Sequence, residues 1–432
     1  MFLVRTADRG EEEQLLKKYF VVLVLFVLSM ITYVDRVCIS AAKDPISSEM
    51  HLSDTAMGVV FSAFALGYLL AQIPSGWLAD RFGPRQVLAA AVTLWSALTA
   101  MTGAAWSLAS LVTIRFLFGI SEAGAYPGGA RAICNWLPLG ERGRANGVLF
   151  SGSRLGAAVS FPLLAWMLTR WQWRTSFWLL GGIGLVWAVL WLLWFRDFPA
   201  GDHLESKYRD SVRPASGIVL SNMLKSGPIG LAMLQYFASN FTFFIGLSWM
   251  LPYLKRQFHL ADRDAVGYAM APLVAGTLSL WIAGALVDIL YRSRYRAWSR
   301  RVPSILGFGL STLGLLALTQ ATTPMAAAVC FTLAVFGSDM TVSPSWVFCA
   351  DIAGRNAGGV SGAMNMVGNL GSFVSANAFP VLAAATGSAA AYFFCAAALN
   401  VVGILCWFNM RSEAGAEPAD AVAPDCPVGE TR

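Results

Sequence analysis

The chain has 432 residues, of which 56% are hydrophobic and only 13% are charged, and its mean hydropathy is +0.58. This composition excludes an ordinary soluble globular protein and is typical of a protein embedded in a membrane. The formal net charge of +6 gives no support to nucleic-acid binding, because the basic residues collect in short connections between apolar stretches, where they act as a topology signal.

Apolar stretches long enough to cross a membrane recur along the whole chain. About 20 helical residues span a hydrocarbon core of about 30 Å. Twelve stretches are predicted to be membrane-spanning helices: Tyr19–Ala42, Met57–Ala79, Gln86–Ser107, Leu108–Leu137, Arg142–Thr169, Arg174–Phe198, Gly227–Leu254, Ala265–Leu290, Val302–Gln320, Pro324–Ala350, Gly354–Ala385 and Ala389–Met410. We therefore expect an all-α polytopic membrane protein.

The positions of Lys and Arg predict the orientation of these spans. With a cytoplasmic N-terminus, most of the 31 Lys and Arg residues lie on the cytoplasmic side. The others lie outside (Lys43, Arg170, Arg174, Lys255, Arg256, Arg263) or within spans (Arg36, Arg115, Arg131, Arg154). Both termini are therefore expected in the cytoplasm. The first span is not expected to be a cleaved signal, because it is too long and carries Asp35 and Arg36.

The polar stretch 199–226 divides the spans into two groups of six. We expect an N-terminal half (1–198), a cytoplasmic linker (199–226), a C-terminal half (227–410) and a disordered cytoplasmic tail (411–432), which is rich in Ala, Pro and acids.

A weak internal repeat supports this division. Gly76 and Asp80 follow the second span as Gly284 and Asp288 follow the eighth, and the segments ERGRANGV and IAGRNAGGV precede the fifth and eleventh spans. Similar offsets predict two parallel six-helix repeats with a substrate site between them. Chance matching of Gly- and Ala-rich segments is the alternative.

Four charged residues lie deep within the first and fourth spans: Asp35, Arg36, Arg115 and Glu122. A charge at such depth costs several kcal/mol unless it finds a partner, so each residue is a candidate for substrate or proton handling. Glu122 follows Arg115 by two helical turns, which places both on one face about 10 Å apart. The alternative is that these residues form buried ion pairs that only hold the helices together.

Other polar residues lie near the middle of later spans. Arg154 in the fifth span and Asp339 in the tenth are each either site residues or halves of a structural pair. Asn365 and Asn369 share one face of the eleventh span, where they either join helices or bind hydroxyl groups. Seven cysteines show no paired spacing, and the histidines fall in connections. We therefore predict neither disulfides, a metal site, a cofactor nor catalytic residues.

The loop GWLADRFGPR resembles the signature of the major facilitator superfamily, with its residues in the expected places. These residues are Gly76, Asp80, Arg81, Gly83 and Arg85. Within that superfamily, YVDR at 33–36 and RFLFGISEAGAYPGG at 115–129 resemble the anion:cation symporter family. The resemblance implies a twelve-helix fold, a monomer in the bacterial inner membrane, and a cytoplasmic gate at the signature loop, where Asp80 is expected to accept hydrogen bonds from a helix end or an arginine.

The resemblance also implies residue roles. Arg36, with Tyr33 and Tyr68 beside it, resembles the arginine that binds the substrate carboxylate, and Asp35 and Glu122 resemble the proton-coupling acids. The remaining candidates are Arg115, which interacts with those acids, and the pocket residues Ser343, Trp346 and Asn365. Asn369 is a substrate-binding candidate because it shares a face with Asn365. Some family members have a glutamine in the fifth span where this chain has Ser153 beside Arg154, so these two residues are further substrate-binding candidates. A second cation within the membrane favours a dicarboxylate, unless Asp339 or Glu122 neutralises Arg154.

The function implied is proton-coupled uptake of an organic anion, such as a hexonate, hexuronate or aldarate, by alternating access. The alternatives are export of an amphipathic compound and a non-transporting membrane sensor. The predicted linker and tail are too short for a signalling domain. An enzyme is not expected, because the sequence has no HExxH motif, no GxSxG motif and no phosphate-binding loop.

Overall fold

The computed structural model describes residues 9–199, 226–260, 262–353 and 356–410. The helices are α1 Arg9–Ala41, α2 Lys43–Met50, α3 Asp54–Phe82, α4 Pro84–Thr102, α5 Leu108–Glu122, α6 Ala125–Trp136, α7 Arg142–Arg170, α8 Trp173–Trp194, α9 Gly227–Ser248, α10 Met250–Phe258, α11 Asp262–Tyr291, α12 Arg301–Leu318, α13 Pro324–Met340, α14 Val342–Ala353, α15 Ala357–Thr386 and α16 Ala390–Asn409, with a short 3₁₀ helix at Arg296–Trp298. The tail 411–432, the interior of the linker and Arg355 lie outside the described residues.

The predicted spans correspond to these helices. Ten spans in the described part of the chain are long and apolar enough to cross a membrane, and the bent pair Arg142–Ser160 and Pro162–Arg170, which forms α7, makes eleven. The remaining prediction, Gln86–Ser107, corresponds to α4, whose mean hydropathy is lowered by Arg85, Gln86 and several hydroxyl residues. This helix packs between α5 and α8.

Three predicted spans each consist of two helices. The fourth span contains α5 and α6, separated by Ala123 and Gly124, and the tenth contains α13 and α14, separated by Thr341. The seventh contains α9 and α10, separated by Trp249. The first break directly follows Glu122, so this predicted proton-coupling acid lies at a helix end rather than in the middle of a continuous helix.

Small residues bring the helices of each half close together. Within the first half, α1–α8, the main partners are α1 with α7, α3 with α5, and α4 with α8. Within the second half, α9–α16, they are α9 with α15, and α12 with α13 and α16. At Gly67 and Gly119 on α3 and α5, a Cβ atom would collide with the backbone of the neighbouring helix. Such close approach is how membrane helices gain packing contacts.

The two largest interfaces between the halves are those of α3 with α15 and of α7 with α11. Glycine again permits the approach, because a Cβ at Gly358 would lie 2.5 Å from the backbone oxygen of Gly76, and a Cβ at Gly284 would lie 2.5 Å from that of Gly143. The two interfaces therefore use the same kind of backbone contact.

An aspartate completes each interface. The carboxylate of Asp80 accepts hydrogen bonds from the backbone N–H groups of Gly358 (2.9 Å) and Gly359 (2.8 Å) in the first turn of α15. The carboxylate of Asp288 accepts hydrogen bonds from the N–H groups of Gly143 (2.9 Å) and Arg144 (2.9 Å) in the first turn of α7. A negative charge is stabilised at a helix N-terminus. The residues matched by the internal repeat thus make equivalent contacts.

The other signature residues lie elsewhere. Gly83 has φ 82°, which favours glycine, and it turns the chain from α3 into α4. The backbone N–H of Arg85 donates to Asp197 (2.8 Å), and its side chain donates to the Leu192 carbonyl oxygen (2.7 Å), so this turn is held to the end of α8. Burial raises the pKa of the Asp197 carboxyl, and its contacts with Arg85 oppose that shift. The guanidinium of Arg81 lies over the rings of Trp77 and Phe82 on its own helix.

The hydrogen bonds of Asp80 predict a local effect on amide exchange. We expect Asp80→Asn to speed hydrogen exchange at Gly358 and Gly359 by about tenfold, because asparagine has one acceptor oxygen and no charge at the helix N-terminus. Hydrogen–deuterium exchange mass spectrometry of the protein in nanodiscs measures this. Arg81→Gln is the control and should leave both amides unchanged; an unchanged rate in Asp80→Asn would contradict the capping role.

Candidate functional site

A cavity of about 60 Å³ lies where the two halves meet. Its lining consists of Tyr33, Arg36, Tyr68, Tyr126, Phe150, Ser153, Arg154, Tyr236, Ser239, Asn240, Phe243, Ser338, Asp339, Val342, Asn365 and Asn369. Aromatic rings and polar groups alternate around it, and both halves contribute. Seven of these residues were predicted from the sequence to bind substrate: Tyr33, Arg36, Tyr68, Ser153, Arg154, Asn365 and Asn369.

Arg36 on α1 is one of two arginines that line the cavity. Its Nε donates to Glu122 Oε2 at 2.8 Å, and the guanidinium carbon lies 4.4 Å from the centre of the Tyr68 ring and 5.2 Å from that of Tyr33. Its Nη2 is buried and has no hydrogen-bond partner. Arg36 is thus held by one carboxylate and aromatic faces, and it retains a donor for an anion.

Asp35 lies in a more buried group with Arg115. Asp35 is 1% exposed, and neither of its carboxylate oxygens has a hydrogen-bond partner. Glu122 and Arg115 interact electrostatically with it, and the Trp95 indole lies nearby. The guanidinium of Arg115 lies over the Phe118 ring, 4.8 Å from its centre. These contacts place both predicted proton-coupling acids beside one another.

The partner of Glu122 differs from one alternative raised by the sequence. Spacing along the fourth span suggested that Glu122 and Arg115 form a buried ion pair. In the structure Glu122 pairs with Arg36 from α1. Two helical turns separate Arg115 from Glu122 on one helix, whereas α1 brings Arg36 directly against the end of α5, so the contact between helices is the shorter one.

Arg154 forms a forked ion pair with Asp339. Its Nε donates to Asp339 Oδ2 at 3.0 Å and its Nη2 donates to Oδ1 at 2.5 Å. Its Nη1 donates to Ser153 Oγ at 3.1 Å, and the guanidinium carbon lies 3.8 Å from the centre of the Phe243 ring. The pair joins α7 of the first half to α13 of the second, and it decides which acid neutralises Arg154.

Asn365 joins α15 to α3 beside Arg36. Its Nδ2 donates to Gln72 Oε1 at 2.9 Å and lies 3.4 Å from the hydroxyl of Tyr68. The Nδ2 of Asn369 donates to the carbonyl oxygen of Asn365 at 2.8 Å. Both side chains also line the cavity, so Asn365 both contacts a neighbouring helix and forms part of the wall, whereas the hydrogen bond of Asn369 stays within α15.

Two predicted pocket residues do not line the cavity. Ser343 is fully buried and donates to the carbonyl oxygen of Gly143 at 2.7 Å, at the contact between α14 and α7. Trp346 donates from Nε1 to the hydroxyl of Tyr236 at 3.0 Å, and its ring centre lies 4.9 Å from that of Phe150. Both residues follow the break at Thr341, and Trp346 packs behind residues that form the wall.

Several lining residues carry weaker sequence signals. Tyr236 and Asn240 are four apart on α9 and therefore share a face. Tyr126 lies in the segment 115–129 and stacks on Phe150 with ring centres 4.9 Å apart. The sequence of an apolar span does not show whether an aromatic residue faces a cavity or lipid. The aromatic residues Tyr236, Tyr126 and Phe150 are therefore not among the predicted site residues.

Metal ligands do not gather around this cavity. Across the described part of the chain, no group of three or more His, Cys, Asp or Glu residues could hold a metal ion. The buried acids instead face arginines, so the charges available for chemistry here are those of carboxylates, guanidinium groups and any bound ion.

Comparison with known proteins identifies the family. The model of the Major Facilitator Superfamily matches residues 25–376. The chain belongs to the major facilitator superfamily. Its curated relatives include the probable sulfoacetate transporter SauU of Cupriavidus necator, which is 32% identical over 91% of this chain and 94% of that protein. The probable galactarate/D-glucarate transporter GarP of Escherichia coli K12 is 30% identical, with 83% and 86% covered.

A further relative and two solved structures extend this comparison. The D-galactonate transporter of Escherichia coli O6:H1 is 29% identical, over 82% of this chain and 86% of that protein. The proton:xylose symporter XylE has a TM-score of 0.72 at 16% identity, with 92% and 97% covered. The superfamily transporter FucP in its outward conformation has a TM-score of 0.72 at 13% identity, with 92% and 100% covered. The protein therefore has the major facilitator fold and is a multi-pass membrane protein.

Proposed function

We propose that this protein is a secondary transporter that takes up a small organic anion together with protons. The observation that carries the proposal is Arg36, whose unpartnered Nη2 lies beside a cavity between two halves of a transporter fold. An arginine keeps its charge when it is removed from water and presents a fixed fork to a carboxylate or sulfonate. The relatives named for sulfoacetate, galactarate, glucarate and galactonate all handle small acids.

The rest of the cavity suits an acid that carries hydroxyl groups. Asn365 and Asn369 supply amide groups and Ser153 a hydroxyl group, while Tyr33 and Tyr68 give rings and phenol groups beside Arg36. Hydroxyl groups of a sugar acid both donate and accept, so they pair with amides and phenols equally well. These features favour a hexonate, hexuronate or aldarate over an amphipathic compound, and hence uptake of a sugar acid over export of such a compound.

Glu122 links the anion to a proton. Substrate and Glu122 compete for the same guanidinium, because Glu122 Oε2 already accepts from Arg36 Nε. Once the substrate anion takes part of Arg36, the Glu122 carboxylate, which is 0% exposed, loses its counter-charge. A buried charge without a partner costs several kcal/mol. Glu122 therefore takes up a proton and becomes neutral when the substrate binds.

Asp35 is the second acid of this mechanism. Its oxygens lack hydrogen-bond partners and it interacts with both Glu122 and Arg115. A proton on one of two neighbouring carboxyls reduces their mutual repulsion, so Asp35 and Glu122 act as a coupled pair. Arg115 then balances the charge that remains when the proton leaves.

Movement of the halves exposes the site to each side in turn. The contacts of Asp80 and Asp288 close the ends of α3 and α11 against the N-termini of α15 and α7. Alternating access requires these contacts to break and form again while the central site stays in place. With the N-terminus in the cytoplasm, the closed side is the cytoplasmic side; we place the protein, as a monomer, in the inner membrane with both termini inside.

Uptake by the purified full chain in proteoliposomes tests this function. We expect at least one acid among D-gluconate, D-glucuronate, D-glucarate and sulfoacetate to accumulate when the outside is more acidic than the inside, and a protonophore to abolish accumulation. Ethidium, an amphipathic cation, should not be transported. The proposal fails if none of the four acids accumulates, or if the proton gradient has no effect.

A second prediction concerns Arg36. We expect Arg36→Lys to weaken binding of the best acid of that panel by about tenfold or more, because an ammonium group cannot reproduce the forked donor pair. Isothermal titration calorimetry measures the affinity. Arg174→Lys is the control, since Arg174 also pairs with a carboxylate, donating from Nε (3.1 Å) and Nη2 (2.9 Å) to one oxygen of Glu49, but does not line the cavity. Equal affinities for wild type and Arg36→Lys would leave Arg36 a structural role only.

A third prediction concerns Glu122. Glu122→Gln mimics the protonated carboxyl, so we expect this variant to bind the acid and exchange it across the membrane without accumulating it against a gradient. Counterflow and proton-driven uptake, measured on the same proteoliposomes, separate the two activities. Proton-driven accumulation at the wild-type level would transfer the coupling role to Asp35 or Asp339.

A further inference from the structure

The two arginines that line the cavity differ in how their nitrogens are used. Within the described residues, Arg36 donates a hydrogen bond only from Nε, and its buried Nη2 has no partner. Arg154 has partners for all three nitrogens, two on Asp339 and one on Ser153. An anion can therefore reach Arg36 directly, whereas it can reach Arg154 only by replacing Asp339.

The two guanidinium groups share one cavity and the same neighbouring tyrosines. Arg36 and Arg154 line one cavity, and each interacts electrostatically with Tyr33 and Tyr126. A molecule bound at Arg36 in this cavity therefore shares its walls with Arg154.

We propose that the site takes a dianion, and that the second acidic group of the substrate replaces Asp339 on Arg154. This inference rests on the proposed function and adds the substrate class and a second exchangeable ion pair to it. One acidic group binds Arg36 and the other, a carboxylate or a sulfonate, binds Arg154.

Charge balance around the cavity supports this assignment. The cations are Arg36, Arg115 and Arg154, and three acids, Asp35, Glu122 and Asp339, oppose them. The described site is therefore neutral when all six groups are ionised, and a dianion adds two uncompensated negative charges. Two protons restore neutrality, one on the Asp35 and Glu122 pair and one on Asp339. Replacement of Asp339 by the substrate on Arg154 is therefore coupled to protonation of Asp339.

The packing around Asp339 favours protonation in place over movement of its side chain. Asp339 is 0% exposed, and a Cβ at Gly276 on α11 would collide with its Oδ2. The backbone of α11 thus closes one side of the carboxylate. Arg154 has a longer side chain, with its guanidinium resting on the Phe243 ring, and it can turn towards a substrate while staying on that face.

A permanent link between α7 and α13 is the opposing interpretation. A fixed ion pair would contribute equally to the binding of acids with one or two charges, and it would take up no proton when substrate binds. The two interpretations therefore differ in selectivity and in proton uptake, which are both measurable.

The proposal is tested by comparing pairs of acids that differ only in the oxidation state of one carbon, so that one member is a dianion and the other a monoanion. D-Glucarate is compared with D-gluconate, and sulfoacetate with isethionate, by uptake and calorimetry on the purified full chain. In at least one pair we expect wild type to prefer the dianion, and we expect Arg154→Gln to lower the ratio of dianion affinity to monoanion affinity by about tenfold or more.

Asp339 variants test whether proton uptake depends on Asp339. If the ion pair were only structural, the number of protons taken up per bound acid would not change. Calorimetry in two buffers of different ionisation enthalpy counts protons taken up per bound acid. We expect Asp339→Asn to bind the dianion at least as tightly as wild type and to take up about one proton fewer. The double variant Arg154→Gln/Asp339→Asn carries no unpaired charge, and it should fold and lose the preference for the dianion.

Arg300→Gln is the matched control, because Arg300 and Asp351 form another buried ion pair (3.1 Å) outside the cavity. This variant should change the affinities for both acids of a pair by the same factor. Three results would overturn this inference: an equal loss of affinity for both acids in Arg154→Gln, unchanged proton uptake in Asp339→Asn, or a wild type that prefers neither dianion. Proton-driven uptake of a monoanion would still stand in each case. If no acid accumulates at all, the proposed function fails first.

Discussion

A charge buried in the membrane must have a partner, and the central part of this protein is organised by that requirement. Arg36 finds Glu122 and Arg154 finds Asp339, while aromatic rings cover the remaining faces of both guanidinium groups. An ion pair in a low-dielectric interior is costly to break unless another charge takes the place of the lost partner. In the proposed mechanism a substrate anion and a proton together make that replacement, so the constraint that holds the ion pairs together would also couple the two ions.

Helix breaks and close helix contacts put these charges within reach of one another. Glu122 lies at the end of α5 and Asp339 lies next to the last residue of α13, so the backbone near both acids leaves the regular helical path. The glycine contacts between α3 and α15 and between α7 and α11 let the halves approach closely. Asp80 and Asp288 add charged caps at the N-termini of α15 and α7, and the site thus lies between two interfaces of equivalent design.

Much of the site could be predicted from the sequence, because few ionisable residues occur in the spans. Asp35, Arg36, Arg115, Glu122 and Arg154 are conspicuous in apolar sequence, and their depth follows from their distance to the span ends. The polar pair Asn365 and Asn369 was found through its spacing. Ser343 and Trp346 were expected in the pocket from a family resemblance, yet they lie outside the cavity lining, since spacing along a helix does not tell whether a residue forms the first or the second layer of a wall.

The sequence by itself determined the membrane class, the number and approximate limits of the apolar segments, and the residues whose burial demands an explanation, because hydropathy and charge are local properties of the chain. Only the tertiary structure decided the partners. Arg36 and Glu122 are 86 residues apart, and Arg154 and Asp339 are 185 apart. Such pairs depend on which helices pack together and at what rotation, and a rotation of one residue position turns a side chain by about 100° away from its partner.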